Sequence, residues 1–169
     1  MKLLLIAIPN HHFFQWAGQL KESGYDVYWF NVSDGGGFVQ RISWVSQIIN
    51  WKLRFQFPFR HRIKKGFPKA YTVFQKYNER KVSSVFEKYL LEIQPDIVHC
   101  FEMKLSGIPV LEVMERHKQI PFLYSSWGSD LYRHHDLGVS TKKVQQFLNR
   151  ADYLITDCLR DAAIAVKNG

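Results

Sequence analysis

The sequence predicts an α/β fold with a mainly parallel sheet and helices on both faces of the sheet. The first observation is a rhythm of short apolar segments, each followed by a polar turn and by apolar residues at helical spacing. The second is the composition, 46% hydrophobic and 22% charged residues over 169 positions, which is typical of one globular domain. Strands that alternate with helices form βαβ units, and such units build parallel sheets that are covered on both sides.

The first βαβ unit occupies the start of the chain. Residues 2–8 form an apolar run that is too short to cross a membrane, and Asn10-His11-His12 forms the turn after it. Apolar positions from 13 to 20 then follow helical spacing, and Gly24 ends this helix. Residues 25–30 are aromatic and β-branched, so we expect them to form the second strand.

The same alternation of strand and helix returns in the second half of the chain. Proline residues precede two of the apolar segments, and polar loops follow them. The predicted strands are residues 96–99, 122–125 and 153–156, and the predicted helices are residues 105–118 and 142–150.

The cysteines and histidines show no pattern of a disulfide scaffold or of a metal centre. Cys100 and Cys158 lack CxxC spacing, and the adjacent His134 and His135 cannot easily reach one ion from regular structure. The glycines form neither a P-loop nor a GxGxxG pattern. We therefore expect no metal and no cofactor, and we expect a protein of the reducing cytoplasm.

A long excursion, residues 38–94, separates the second and third predicted strands. Within it, residues 41–81 hold 11 of the 23 lysines and arginines and one acid, Glu79, in a chain of net charge +8. Nine of the 26 aromatic residues lie there as well. We predict two helices in this excursion, residues 41–55 and residues 69–94.

The first of these helices would carry two stripes. Ile42, Val45, Ile49 and Leu53 would face the core, and an aromatic stripe flanked by cations would lie beside them. This pairing suits an anionic membrane surface or a polynucleotide, and the alternative is a solvated helix face that covers the core. The candidate membrane-docking residues are Trp44, Trp51, Phe55, Arg60, Arg62, Lys64 and Lys65.

Three motifs mark the ends of the later strands: Pro95-Asp96-Ile97-Val98-His99, Trp127-Gly128-Ser129-Asp130 and Ala151-Asp152-Tyr153-Leu154-Ile155-Thr156. In this order they resemble the N-terminal domain of family 4 glycosyltransferases, in which PDxxH, HGxD and ADxxxxxS follow successive strands. The resemblance implies a Rossmann-like domain, one of the two domains of a GT-B enzyme. Two positions differ from the family: Asn10-His11-His12 replaces a glycine pair, and Trp127 replaces a histidine.

The resemblance also implies an activity, the transfer of a sugar from a nucleotide-sugar donor with retention at the anomeric centre and without a metal. Residues 1–169 would form the acceptor-binding half. The C-terminal domain that binds the donor would be absent, so we expect this fragment alone to be inactive. The expected partners are the donor, a saccharide or lipid-linked acceptor and an anionic membrane surface at the inner face of the membrane; nucleic acid is not expected.

The candidate site residues lie at the predicted strand ends, where ligands bind in such sheets. His99 and Asp130 are the candidate catalytic residues that would orient the acceptor hydroxyl, although His99 could instead bond a neighbouring loop and Asp130 could cap the turn after Gly128. The candidate acceptor-binding residues are Trp127, Gly128 and Glu102, and the candidate donor-side residues are Asn10, His11 and His12.

Two other functions remain open at this stage. One is a non-catalytic module that docks on a membrane or on nucleic acid through the basic excursion. The other is a stand-alone flavodoxin-like binding domain whose ligand lies at the same strand ends.

Overall fold

The computed structural model describes residues 1–56 and 64–168. In this part of the chain, six strands form one sheet in the order β3-β2-β1-β4-β5-β6, and every neighbouring pair is parallel. The strands are β1 (Lys2–Ala7), β2 (Asp26–Asn31), β3 (Ser46–Ile48), β4 (Ile97–Phe101), β5 (Phe122–Ser125) and β6 (Tyr153–Ile155). The predicted α/β fold with a parallel sheet is therefore confirmed.

Helices connect the strands and cover the sheet. They are α1 (His11–Gly18), α2 (Pro68–Asn78), α3 (Val82–Ile93), α4 (Leu111–Arg116), α5 (Ser129–Tyr132), α6 (Thr141–Arg150) and α7 (Leu159–Asn168). Shorter helical turns lie at Gln40–Ile42, Met103–Gly107 and Ile108–Val110. The predicted helix at residues 105–118 is thus divided into three pieces, of which the last ends at Arg116. Within the described ranges, no helix is long and apolar enough to span a bilayer.

The core lies on both faces of the sheet, as the continuous apolar run of β1 predicts. Successive side chains of a strand point to opposite faces. Leu4 and Ile6 accordingly pack in the cluster that contains α3 and α6, whereas Leu5 and Ala7 pack in the cluster that contains α1. All four side chains are completely buried.

The strand order reverses between β1 and β4. Both strands pair in parallel, but the chain moves to one side after β1 and to the other side after β4. In doubly wound sheets, ligands bind in the crevice beyond the carboxyl ends of the strands at such a reversal. We therefore expect a ligand site among the loops that follow β1, β4 and the neighbouring strands.

The predicted helix at residues 41–55 is wrong. Residues 46–48 form the edge strand β3, which pairs with β2 from Tyr28 to Phe30. The β-branched residues around it favour an extended chain. Trp51, expected on the outer stripe, is 2% exposed; its indole N–H donates to the carbonyl of Asn31 at 2.9 Å, and its ring stacks on Phe30.

The other candidate membrane-docking residues lie in different surroundings. Trp44 is half-buried against the cluster that contains α1, whereas Phe55 is 71% exposed. Lys64 and Lys65 are exposed, and Arg60 and Arg62 lie outside the described residues. The buried Trp51 cannot contact a membrane, so the predicted two-stripe surface does not exist in its expected form.

The predicted single helix at residues 69–94 is divided into α2 and α3. Between them, the amide of Arg80 donates to the carbonyl of Lys52 at 2.8 Å, and the amide of Arg54 donates to the carbonyl of Asn78 at 2.9 Å. These bonds form a short antiparallel bridge that includes Leu53 and Glu79. The pairing replaces the helical hydrogen bonds at this point and ends α2.

Candidate functional site

A cleft of about 250 Å³ opens at the carboxyl ends of β4, β5 and β6. Its walls come from α1 on one side and from the loops after β5 and β6 on the other. The lining residues are His12, Trp16, Phe101, Ser125, Ser126, Trp127, Ile155, Thr156 and Asp157. The cleft is therefore at the edge of the sheet that the strand-end motifs predict.

Two tryptophans give the cleft apolar walls. Trp16 projects from α1 and lies edge-on to Phe101, with ring centroids 4.7 Å apart. Trp127 follows β5 and is, like Trp16, half-buried. The flat faces of aromatic rings suit the C–H faces of a sugar, and polar groups beside them suit its hydroxyls. Ser126, Thr156 and Asp157 supply such polar groups in the same cleft.

The hydroxyl of Ser126 is an unsatisfied polar group at this site. Ser126 is 8% exposed, and its Oγ has no hydrogen-bond partner in the described part of the chain. Its backbone is fixed, because its amide donates to the carbonyl of Ile155 at 3.0 Å. A buried hydroxyl without a partner costs free energy. A ligand that hydrogen-bonds to Ser126 would recover that cost.

His99 lies beneath the cleft rather than in its wall. Its ring stacks on Phe101 at 4.2 Å and meets the edge of Trp16 at 4.7 Å, and its Nε2 shares a hydrogen bond with Ser125 Oγ at 2.8 Å. Burial lowers the pKa of His99 to about 4, so the ring is neutral near pH 7. His99 therefore does not line the cleft itself but contacts three residues that do, Trp16, Phe101 and Ser125.

Asp130 is 1% exposed, and three donors of the chain occupy its carboxylate. It accepts from the amide of Met103 at 2.8 Å, from the hydroxyl of Tyr124 at 2.7 Å and from the amide of Trp127 at 2.9 Å. These bonds join the loop after β4, strand β5 and the loop that presents Trp127. Asp130 therefore does not cap the turn after Gly128, the alternative that the sequence left open; its carboxylate instead holds the loops before that turn.

Glu102 also uses its carboxylate on the backbone. It accepts from the amides of Lys104, Leu105 and Ser106 and begins the helical turn after β4. Its φ of 71° is a conformation that favours glycine, and the hydrogen bonds of the side chain help to hold it. Burial raises the pKa of this carboxyl, which the three amides only partly offset. Glu102 does not line the cleft.

Among the candidate donor-side residues, His12 alone lines the cleft. Asn10 caps α1, since its Oδ1 accepts from the amide of Phe13 at 2.8 Å. The Nδ1 atom of His11 lies 3.4 Å from a guanidinium nitrogen of Arg41, and His11 does not line the cleft. Gly128 has a φ of +72°, which turns the chain behind Trp127.

Sequence reasoning missed several residues of the cleft. Thr156 and Asp157 follow β6 directly, so the strand-end rule that singled out His99 could have found them. Trp16 gave no signal, because an aromatic residue on the apolar face of a helix is typical of a core position. Within residues 1–56 and 64–168, no group of three histidine, cysteine or acidic side chains could hold a metal ion.

Comparison with known proteins identifies the family. The family model described as "Glycosyl transferase 4-like" matches residues 2–158. No match was found among curated proteins or among solved structures. The family match covers nearly the whole chain, including every strand of the sheet and all three strand-end motifs. The chain therefore belongs to the glycosyl transferase 4-like family.

Proposed function

We propose that this chain is the acceptor-binding half of a glycosyltransferase that moves a sugar from a nucleotide-sugar donor to an acceptor hydroxyl. The observation that carries the proposal is the cleft at the strand ends, with two tryptophan walls and the unsatisfied hydroxyl of Ser126. The family match supports a transferase more than a stand-alone binding domain or a non-catalytic docking module. A second domain outside this chain would bind most of the nucleotide.

The proposed role of the cleft follows from the needs of sugar transfer. The acceptor hydroxyl must meet the anomeric carbon in a site that excludes water, while positive charge and helix N-termini stabilise the leaving diphosphate. Trp16 and Trp127 would hold the faces of the acceptor, and Ser126 and Asp157 would bind its hydroxyls. His12, at the start of α1, would lie on the donor side. Retention and independence from metal are part of the proposal, on the family resemblance.

His99 and Asp130 would act as positioning residues under this proposal. His99 orients the hydroxyl of Ser125, and Asp130 holds the backbone of Trp127. Neither needs to touch the acceptor for its loss to matter. Misplacing a reacting group by about 1 Å costs on the order of 10²-fold in rate.

Transfer assays with the polypeptide that carries both domains test the proposal. A panel of labelled nucleotide sugars is offered with saccharide and lipid extracts as acceptors. We expect Trp127→Ala and Ser126→Ala to lower transfer on the order of 10²-fold while the folded fraction is unchanged. Ser43→Ala, at an exposed serine outside the cleft, is the matched control. Transfer by residues 1–169 alone would contradict the proposed division between the two halves.

We also propose where the reaction takes place. The acceptor would be a saccharide or a lipid-linked saccharide, presented at the inner face of an anionic membrane in the cytoplasm. The support is the excursion between β2 and β4, which carries the excess positive charge of the chain.

A further inference from the structure

A basic groove of about 670 Å³ lies where α2 ends and α3 begins. The charged residues that define this basic groove are Arg54, Lys76, Glu79, Arg80, Lys81 and Lys88. Glu79, the one acid of the groove, lies 3.9 Å from Lys52, which is a further cation. Within the described ranges, Arg54, Lys76, Arg80 and Lys81 form no ion pair. The groove therefore carries a strong uncompensated positive charge.

The backbone holds an aromatic residue at the rim of the basic groove. Asn78 is buried, and its side-chain amide makes two hydrogen bonds of 2.9 Å with the backbone of Phe55, one to the N–H and one to the carbonyl. The bridge between residues 53 and 79 lies beside this pair. The Phe55 side chain, which is 71% exposed, thus projects into solvent from a fixed backbone.

Helix α2 adds an outward apolar face to the same region. Tyr71 and Asn78, seven residues apart, face inward and are buried. On the opposite side, Val73 and Tyr77 are neighbours at i and i+4, and Tyr77 is 74% exposed. Phe74 lies beside them and is exposed as well. The side chains of Val73 and Tyr77 do not serve the core, so their exposed surfaces can contact a partner.

We propose that the basic groove and the outward face of α2 form a docking surface for an anionic phospholipid membrane. Aromatic rings with flanking cations suit the interface between headgroups and acyl chains. The groove cations would bind headgroup phosphates, while Phe55 and Tyr77 would enter the interface. This surface replaces the stripe predicted on residues 41–55, from which Trp51 is now excluded by its burial.

The docking surface lies at the same edge of the sheet as the cleft. Helix α3 ends near the amino end of β1, because Lys2 Nζ donates to the carbonyl of Ile93 at 2.8 Å. It therefore begins near the carboxyl ends of the strands, where the cleft opens. The proposal deepens the proposed membrane-face location, but vesicle binding does not require sugar transfer. The two proposals can therefore fail separately.

Co-sedimentation with vesicles tests this proposal on the 169-residue chain. Vesicles of phosphatidylcholine alone are compared with vesicles that also contain phosphatidylglycerol, across a salt series. We expect binding only to the anionic vesicles, and we expect salt to weaken it. Lys76→Gln with Lys81→Gln should lower the partition coefficient roughly 30-fold. Phe55→Ala with Tyr77→Ala should also lower it at constant net charge.

Matched variants elsewhere on the surface are the controls. Lys21→Gln with Lys142→Gln removes the same charge, and Tyr153→Ala removes an exposed tyrosine on β6, the strand farthest from β3 in the sheet. Both control variants should keep most of the partition coefficient that the wild type shows on anionic vesicles. Thermal unfolding should show that all variants fold. Equal binding to neutral vesicles, no binding to anionic vesicles, or equal losses in groove and control variants would overturn the proposal. Tighter binding of a single-stranded RNA oligonucleotide at the same salt would instead assign the groove to polynucleotides.

Discussion

Replacing Asp130 by alanine should destabilise the domain strongly, because the buried carboxylate accepts hydrogen bonds from three donors of the chain. Its loss would leave the amides of Met103 and Trp127 and the hydroxyl of Tyr124 without an acceptor. An unsatisfied buried donor costs about 1–3 kcal/mol, and water that enters the space left by the shorter alanine side chain would offset part of the sum. We therefore expect the free energy of unfolding to fall by about 3–5 kcal/mol.

Urea unfolding of the wild type and of four variants measures this effect. Tyr124→Phe removes one donor and leaves the carboxylate with two, so its cost should be about 1–2 kcal/mol. The double variant Asp130→Ala, Tyr124→Phe should then cost less than the sum of the single variants, because the orphaned hydroxyl is gone. Asp130→Asn should be intermediate, since its amide keeps one acceptor oxygen.

The refuting result is a loss of less than about 1 kcal/mol for Asp130→Ala. The three hydrogen bonds would then contribute too little to hold the loops after β4 and β5. In that case the position of Trp127 would not depend on Asp130, and a direct role of its carboxylate toward an acceptor would regain support.

Three further predictions concern pH, backbone conformation and the start of the basic groove. The pKa of His99 is lowered from 6.5 to about 4, so between these pH values the unfolded chain binds more protons than the folded chain. The free energy of unfolding should therefore fall as the pH drops from about 6.5 to 4. Urea unfolding at several pH values measures this fall, which should be smaller in His99→Gln. Gly128→Ala should lower the free energy of unfolding by about 1–3 kcal/mol, because Gly128 has a positive φ. Gly18→Ala should raise it by about 0.4–1 kcal/mol, because Gly18 lies in α1 and a Cβ there meets no other atom. Thermal unfolding measures both effects. Asn78→Ala should lower the free energy of unfolding by about 1–3 kcal/mol and speed proteolysis near Phe55, because both hydrogen bonds to the backbone of Phe55 are lost. An unchanged rate of cleavage would show that these two bonds do not hold the backbone at Phe55.

The fold was predictable where the sequence pattern and the packing have the same cause. Central parallel strands are buried on both faces, so they appear in the sequence as short apolar runs, and β5 lies at residues 122–125 as predicted. Strand β3 was missed because it has three residues at the edge of the sheet, and its pairing with β2 decides its conformation. Apolar residues near helical spacing in residues 41–55 reflect burial of an irregular segment instead.

The sequence predicted the location of the candidate site better than the hydrogen bonds that its side chains form. Strand-end motifs pointed to the edge of the sheet at which the cleft opens, and Trp127 lines the cleft there. The carboxylates of Glu102 and Asp130 accept hydrogen bonds from backbone amides. Almost every residue has such an amide, so the sequence does not indicate which one a carboxylate will bind. The neutral state of His99 depends on its burial beneath Trp16, which only the folded chain brings about.

The cleft and the basic groove share one edge of the sheet but lie over different strands. The groove is beside β2 and β3, since Trp51 bonds the end of β2 just before the groove begins, whereas the cleft is over β4 to β6. Strands β2 and β5 are three positions apart in the sheet, a separation of about 15 Å. The reacting hydroxyl of a lipid-linked acceptor in a docked membrane would therefore have to reach about 15 Å along this edge, from the groove to Trp127. Under the docking proposal, binding at the groove would concentrate such acceptors beside the cleft, so it would act on the encounter with the acceptor and leave the chemical step to the residues of the cleft.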